Sequence, residues 1–152
     1  MLLLVFHVKG DQFALDSSNI IEVIPLVKLQ SLPMAPDYIA GIFNYRGKSV
    51  PVVDLCQYFK KKKYNRYFST RIILVNLKDR DNYILGLIAE DVNDVIRQDE
   101  NSFVESGMQL ESSPFLGKLV MGENNLIQSI EPQNLITEEL ADILFTVKEH
   151  TD

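Results

Sequence analysis

The chain has 152 residues, 46% of them hydrophobic and 24% charged, with a formal net charge of −6 at pH 7. A chain of this length can bury roughly 70% of its unfolded surface, as one unit or as two small lobes sharing a core, and its acidic balance argues against nucleic acid as the main partner. The single cysteine, Cys56, excludes an internal disulfide and fits a reducing compartment; tryptophan is absent, and His7 and His150 are the only imidazoles.

Leu2–Val8 is a continuous apolar run of strand length. It lacks the basic start and longer apolar core of a signal peptide. Nowhere do about 18 apolar residues run together, so neither a transmembrane helix nor direct membrane insertion is expected. A cytoplasmic protein is the resulting expectation. Gly10-Asp11 signals a turn, and Gln12–Asp16 alternates, with Phe13 and Leu15 on one face. Ser17-Ser18-Asn19 interrupts, and Ile20–Val27 resumes with β-branched residues around Glu22.

The stretch 32–55 fixes backbone geometry at several places. Pro33 and Pro36 force their predecessors into extended conformations. Pro36 can open a short helical turn and Gly41 can close it with a positive φ. Arg46-Gly47 sits between the apolar runs Ile42–Tyr45 and Val50–Leu55 and reads as a hairpin tip. A large cation is thereby held at a defined point of a β-ribbon, with no catalytic group near it.

Cys56–Ser69 interleaves Lys60, Lys61, Lys62, Lys63 and Arg66 with Tyr58, Phe59, Tyr64, Tyr67 and Phe68. One helical turn followed by an exposed loop is the reading. Such a mixture superficially suits single-stranded nucleic acid, but a short basic block in an acidic chain is better read as a solvated loop, or as a patch that steers an acidic partner surface. Thr70–Leu77 is an apolar strand, Lys78–Asn82 a charged turn, and Tyr83–Ala89 and Val92–Arg97 are strands separated by Glu90-Asp91. Gln98–Pro114 is polar and irregular. Phe115–Met121 and Asn125–Glu131 form a second hairpin around Gly122-Glu123-Asn124. Pro132 opens a final helix to about residue 147, whose apolar stripe is Leu135, Leu140, Ile143 and Leu144. The last five residues are expected to fray.

The halves, 1–69 and 70–131, echo each other. Phe13-Ala14-Leu15 followed by Val23-Ile24 matches Leu85-Gly86-Leu87 followed by Val95-Ile96. Gly41 with Pro51-Val52-Val53-Asp54 matches Gly117 with Ile127-Gln128-Ser129-Ile130. Each half holds about five short strands, the count of a small closed barrel. Two such lobes would bury a joint apolar seam whose cleft is a natural docking groove.

Enzymatic readings find little support. Cys56 has no histidine near it in sequence and reads as a small core residue. Glu90-Asp91 with Asp94 lacks the glycine turn and terminal glutamate of a calcium loop. No phosphate-cradling loop, zinc spacing or nucleophile elbow occurs. No cofactor is expected.

Phe6, Phe13-Ala14-Leu15-Asp16, Ile21-Glu22-Val23-Ile24, Leu32-Pro33, Ala35-Pro36, Gly41, Asn44-Tyr45-Arg46-Gly47 and Val50-Pro51-Val52-Val53-Asp54-Leu55 together resemble the CheW-like coupling proteins of bacterial chemosensory systems. Gly86-Leu87-Ile88-Ala89-Glu90-Asp91-Val92 followed by Val95 resembles that family's second-half signature. The resemblance implies an all-β fold with minor α, in which two pseudo-symmetric five-stranded SH3-like β-barrels pack on a shared core, with short helical turns and a C-terminal helix. It implies one domain over 1–152, with a non-catalytic adaptor role between a chemoreceptor's cytoplasmic tip and the regulatory domain of a CheA-type histidine kinase. The receptor would lie in the groove between the barrels, beside the acidic and basic pair Glu22 and Arg46, with Gly41 and Asn44 completing the groove. Exposed apolar residues on a first-lobe strand or loop would meet the kinase. The chain departs from the family at Glu90, where Asp is usual, and at Tyr45, where many relatives have Leu. Val-Ile-Pro-Leu and Ser-Thr-Arg-Ile-Ile-Leu look most like Wsp-type surface-sensing adaptors. An adaptor of a cyclic-di-GMP pathway, docking on a methyltransferase or kinase, is therefore the alternative.

Each residue also has a plainer reading. Arg46 could be a solvated turn residue, Glu22 an outward-facing edge residue, and Asn44 a side chain that satisfies turn backbone. Gly41 is a backbone position first. Leu26, Leu29, Phe43 and Val52 read as core.

Overall fold

The computed structural model describes residues 2–78, 80, 83–97, 103–104, 116–121 and 126–146. Most of the expected stretch 98–114, the expected hairpin tip 122–124 with residue 125, and the tail beyond 146 lie outside the described residues.

Ten strands and two helices occur among them: β1 Leu2–Val8, β2 Asp11–Asp16, β3 Ile20–Pro25, β4 Ile39–Tyr45, β5 Lys48–Asp54, α1 Leu55–Lys60, β6 Arg71–Leu77, β7 Tyr83–Arg97, β8 Phe103–Val104, β9 Leu116–Met121, β10 Leu126–Ile130 and α2 Glu138–Thr146. The first barrel runs β3-β6-β7-β5-β4 through the front half of β7. It closes where Gln30 and Ile42 exchange two backbone hydrogen bonds of 2.8 and 2.9 Å. The second barrel runs from the rear half of β7 through β1, β2, β10 and β9. There β8 pairs with β9, the counterpart of the Gln30–Ile42 bridge.

The halves 1–69 and 70–131 do not coincide with the barrels. The first half gives β3, β4 and β5 to one barrel and β1 and β2 to the other. The second half completes each. Two features cause the exchange. The 3-10 turn Ser17–Asn19, capped by Asp16, leads β3 away from β2 and onto β6. β7 is one strand of 15 residues where two were expected: its pairing with β6 ends at Ala89, its pairing with β1 begins at Glu90, and Asp91, at φ +52°, lies in the irregularity that follows.

The register supports the first echo. Ala14 and Gly86 occupy equivalent places, facing Ser129 and Val52 in the two parallel pairings. The second echo is shifted by one residue from the expected alignment. Val50 and Ile127 each point into a barrel, and Val53 and Ile130 each point into the shared seam.

Period-two alternation builds three apolar clusters from the same strands. On β6, Ile72 and Leu74 fill the first barrel while Ile73, Val75 and Leu77 face the seam. On β1, Leu3 and Val5 fill the second barrel while Leu4, Phe6 and Val8 face the seam. The seam takes in Leu55 and Cys56 of α1 and Leu140, Leu144 and Phe145 of α2. Leu26, Leu29 and Phe43 pack against the first-barrel core, and Val52 is fully buried within it.

Three expected elements differ. Residues 33–38 form turns without a helix, and Gly41 lies inside β4. The final helix starts later than Pro132, which opens only the 3-10 turn Pro132–Asn134. The Thr137 hydroxyl then accepts the Leu140 N–H at 3.1 Å and starts α2 at Glu138. Phe103–Val104 is a short strand inside the segment expected to be irregular.

Candidate partner-docking site

The β4–β5 hairpin has a two-residue loop, with Tyr45 paired to Lys48. Arg46 and Gly47 take φ values of +50° and +85°, the combination of a type I′ turn that suits the twist of the flanking strands. The Asn44 side-chain oxygen Oδ1 accepts the Gly47 N–H at 2.8 Å. Asn44 thus serves the turn's own backbone.

This turn presents Arg46 to solvent, its side chain 76% exposed. The guanidinium Nη2 lies 3.6 Å from Glu22 Oε2 on β3, and its carbon lies 5.1 Å from the Tyr45 ring centroid. The Tyr45 hydroxyl donates to the same Glu22 oxygen. That bond, with burial and the negative charge of Glu22 adding to it, raises the Tyr45 pKa; the Arg46 charge opposes the rise. An ion pair this exposed stabilises a fold by only about 0–1 kcal/mol. What the arrangement does is aim a planar donor fork outward, suited to carboxylates and backbone carbonyls.

The structure therefore brings Glu22 and Arg46 together, as the sequence predicts, and adds Tyr45 between them. All four expected residues lie in the first barrel. Gly41 is on β4 beside the barrel closure, where its neighbours are Leu29 and Gln30. Sequence reasoning noted Tyr45 only as a departure from Leu; its polar role needed the contact with β3.

Two buried carboxylates hold the loop 61–69. Asp54 caps α1 by accepting the N–H groups of Cys56 and Gln57 at 2.9 and 3.3 Å, and it accepts that of Tyr64 at 3.1 Å. Desolvation by burial raises its pKa against the lowering effect of those donors. Glu90 accepts Asn65 N–H at 2.8 Å and the backbone and ammonium groups of Lys9 at 3.3 and 3.5 Å. Lys60, in the last turn of α1, pairs with Asp11, and in the loop Lys63 lies 5.5 Å from the Tyr64 ring centroid. An open cleft of about 550 Å³ adjoins it, its lining including Leu26, Leu29 and Ile39, the cations Lys28, Lys63 and Arg66, and the carboxylates Asp37 and Asp54. On the first barrel, Ile21 and Val23 of β3 and the following Val27 are exposed. Among the described residues no group of three or more His, Cys, Asp or Glu side chains converges as a metal site, and no helix is long and apolar enough to cross a membrane.

A family profile described as "CheW-like domain" matches residues 2–140. The chemotaxis protein CheW of Bacillus subtilis is 27% identical over 139 residues, covering 90% of this chain and 87% of that one. The CheW of Klebsiella aerogenes is 25% identical over 150 residues, covering 97% and 89%. The crystal structure of the scaffolding protein TtCheW from Thermoanaerobacter tengcongensis superimposes with a TM-score of 0.79 at 30% identity, covering 90% of this chain and 87% of that one. Two SH3-like barrels on a shared core, matched by a profile across nearly the whole chain, make this polypeptide a member of the CheW-like family.

Proposed function

We propose that this chain is a non-catalytic adaptor coupling a chemoreceptor to a CheA-type histidine kinase in bacterial chemosensory signalling. The receptor's cytoplasmic tip docks beside Arg46, and the kinase's own CheW-like regulatory domain takes a separate face. The observation that carries this reading is the Glu22–Tyr45–Arg46 cluster, an exposed cation held by side chains on a rigid hairpin. The CheW names of the relatives support the same role. The exposed Ile21, Val23 and Val27 offer the kinase domain an apolar contact on the first barrel. Signal passes because two partners bound to one rigid body are energetically coupled.

The test is recovery of native partners with wild-type protein and with Arg46→Ala. The wild type should bring down a histidine kinase and a chemoreceptor, and Arg46→Ala should keep the kinase and lose the receptor. Recovery of neither partner by the wild type, or full receptor retention by the variant, overturns the reading.

A further inference from the structure

β3 and β4 share no backbone ladder. The one backbone pairing between the segment 20–30 and β4 is Gln30 with Ile42, at the middle of β4 and four residues before Arg46. Phe43 and Tyr45 pack against the same core as Ile24 and Leu26. The polar tie between the hairpin tip and β3 is the side-chain cluster at Glu22.

Within that cluster the contacts are unequal. At 3.6 Å the Arg46–Glu22 approach exceeds hydrogen-bond length. The Tyr45 hydroxyl makes the close contact to Glu22. An exposed Glu–Arg pair alone loses most of its attraction to screening and to ordering two long side chains. Tyrosine has two side-chain torsions and costs less to order. Its ring lies within cation–π distance of the guanidinium.

We propose that Tyr45 is the positioning residue of this surface: its hydroxyl pins the Glu22 carboxylate and its ring carries the Arg46 guanidinium, so both charges meet a partner already oriented. Glu22 Oε2 accepts the Tyr45 hydroxyl, which leaves Oε1 and the outward guanidinium N–H groups for the partner. The matching surface offers a carboxylate or helix-end carbonyl beside a hydrogen-bond donor. Orienting these groups beforehand lowers the cost of binding. The consequence for receptor docking rests on the function proposed above; the clamp itself does not.

The test has two arms. The first needs no partner. Nuclear magnetic resonance of ring-labelled tyrosine follows the Tyr45 hydroxyl through alkaline titration, where it should titrate above ordinary tyrosine and move back toward it in Glu22→Gln. The second arm measures affinity for a soluble fragment carrying a chemoreceptor's cytoplasmic tip. Tyr45→Phe keeps the ring and should weaken binding about two- to tenfold, the range for one hydrogen bond, with no change in melting temperature. Tyr45→Leu should weaken it further, and the effects of Tyr45→Phe and Arg46→Ala should be non-additive. A titration unmoved by Glu22→Gln overturns the clamp. Wild-type affinity in Tyr45→Phe overturns the positioning role. If the wild type ignores the receptor fragment, the adaptor reading falls, and the clamp stands or falls on the titration.

Discussion

Gly41 and Gln30 meet so closely that a Cβ at position 41 would lie 2.5 Å from the Gln30 carbonyl oxygen and 2.9 Å from Leu29 Cβ. That carbonyl already accepts the Ile42 N–H at 2.9 Å in the pairing that closes the first barrel. Gly41 also has φ +148°, which side chains other than hydrogen rarely tolerate. Steric overlap and backbone strain therefore act together. Gly41→Ala should destabilise the fold by about 2 kcal/mol or more, read as a lower denaturation midpoint. An unchanged midpoint would show that the closure is softer than described.

Arg46 should behave in the opposite way. Its ion pair is exposed and loose, so Arg46→Ala should change stability by no more than about 1 kcal/mol. Receptor binding should nonetheless fall sharply, because Arg46 presents the outward donors. Matched melting curves with lost receptor affinity are the expected pair of results. A large drop in melting temperature would make Arg46 a structural residue instead.

Glu90 is 5% exposed and ties the loop 61–69 to the Lys9 turn. Its removal takes away the charged acceptor that the Asn65 N–H and both Lys9 donors share. Glu90→Ala should cost about 1–3 kcal/mol and speed amide exchange at Asn65. If exchange there is unchanged, another acceptor holds the loop.

Strands such as β1, β5 and β6 were legible because their apolar residues alternate between two buried faces. Arg46-Gly47 was legible as a hairpin tip from the apolar runs on either side. What one dimension could not carry was the exchange of strands between halves. Nothing local to Ile20–Pro25 says that its ladder partner is Arg71–Leu77 and not a strand of its own half. The same limit hid Tyr45: its hydroxyl finds Glu22 across 23 positions of sequence. Glu90-Asp91 looked like a strand break, since two adjacent carboxylates are poor strand formers. The fold turns them into a bend in one strand, with Glu90 pointing to donors on distant loops.

Cys56 should be inert in the native protein. It is fully buried in the seam, and desolvation first, then the charges of Glu90 and Asp54, push its thiol pKa up to about 12. At pH 8 that leaves about one thiolate in ten thousand to attack an alkylating reagent. Labelling should therefore proceed only at the rate of unfolding. The stability sign follows from the same shift. The folded thiol holds its proton more tightly than the unfolded one, with its ordinary value of 9.0. Its contribution is complete below pH 9 and is lost as pH rises toward about 12. Cys56→Ala should flatten that part of the alkaline stability curve, and an equal slope in both proteins would assign the loss to other groups.

The exchanged strands make a prediction about the chain cut between Ser69 and Thr70. Residues 1–69 carry β1 to β5, yet β3 lacks β6, and β1 lacks β7. Residues from 70 onward carry β6 and β7 without β5 or β2, so neither barrel can close. Each fragment would expose the whole seam face of its strands, and neither has a core of its own to offset chain entropy. Separately, both should lack cooperative unfolding and bind hydrophobic dyes. Mixed, they should recover a β-rich circular dichroism spectrum and a cooperative transition, because the ladders β3–β6 and β1–β7 run between the fragments. Independent cooperative folding of either fragment would mean that a barrel can be completed within one half, against the pairing seen here.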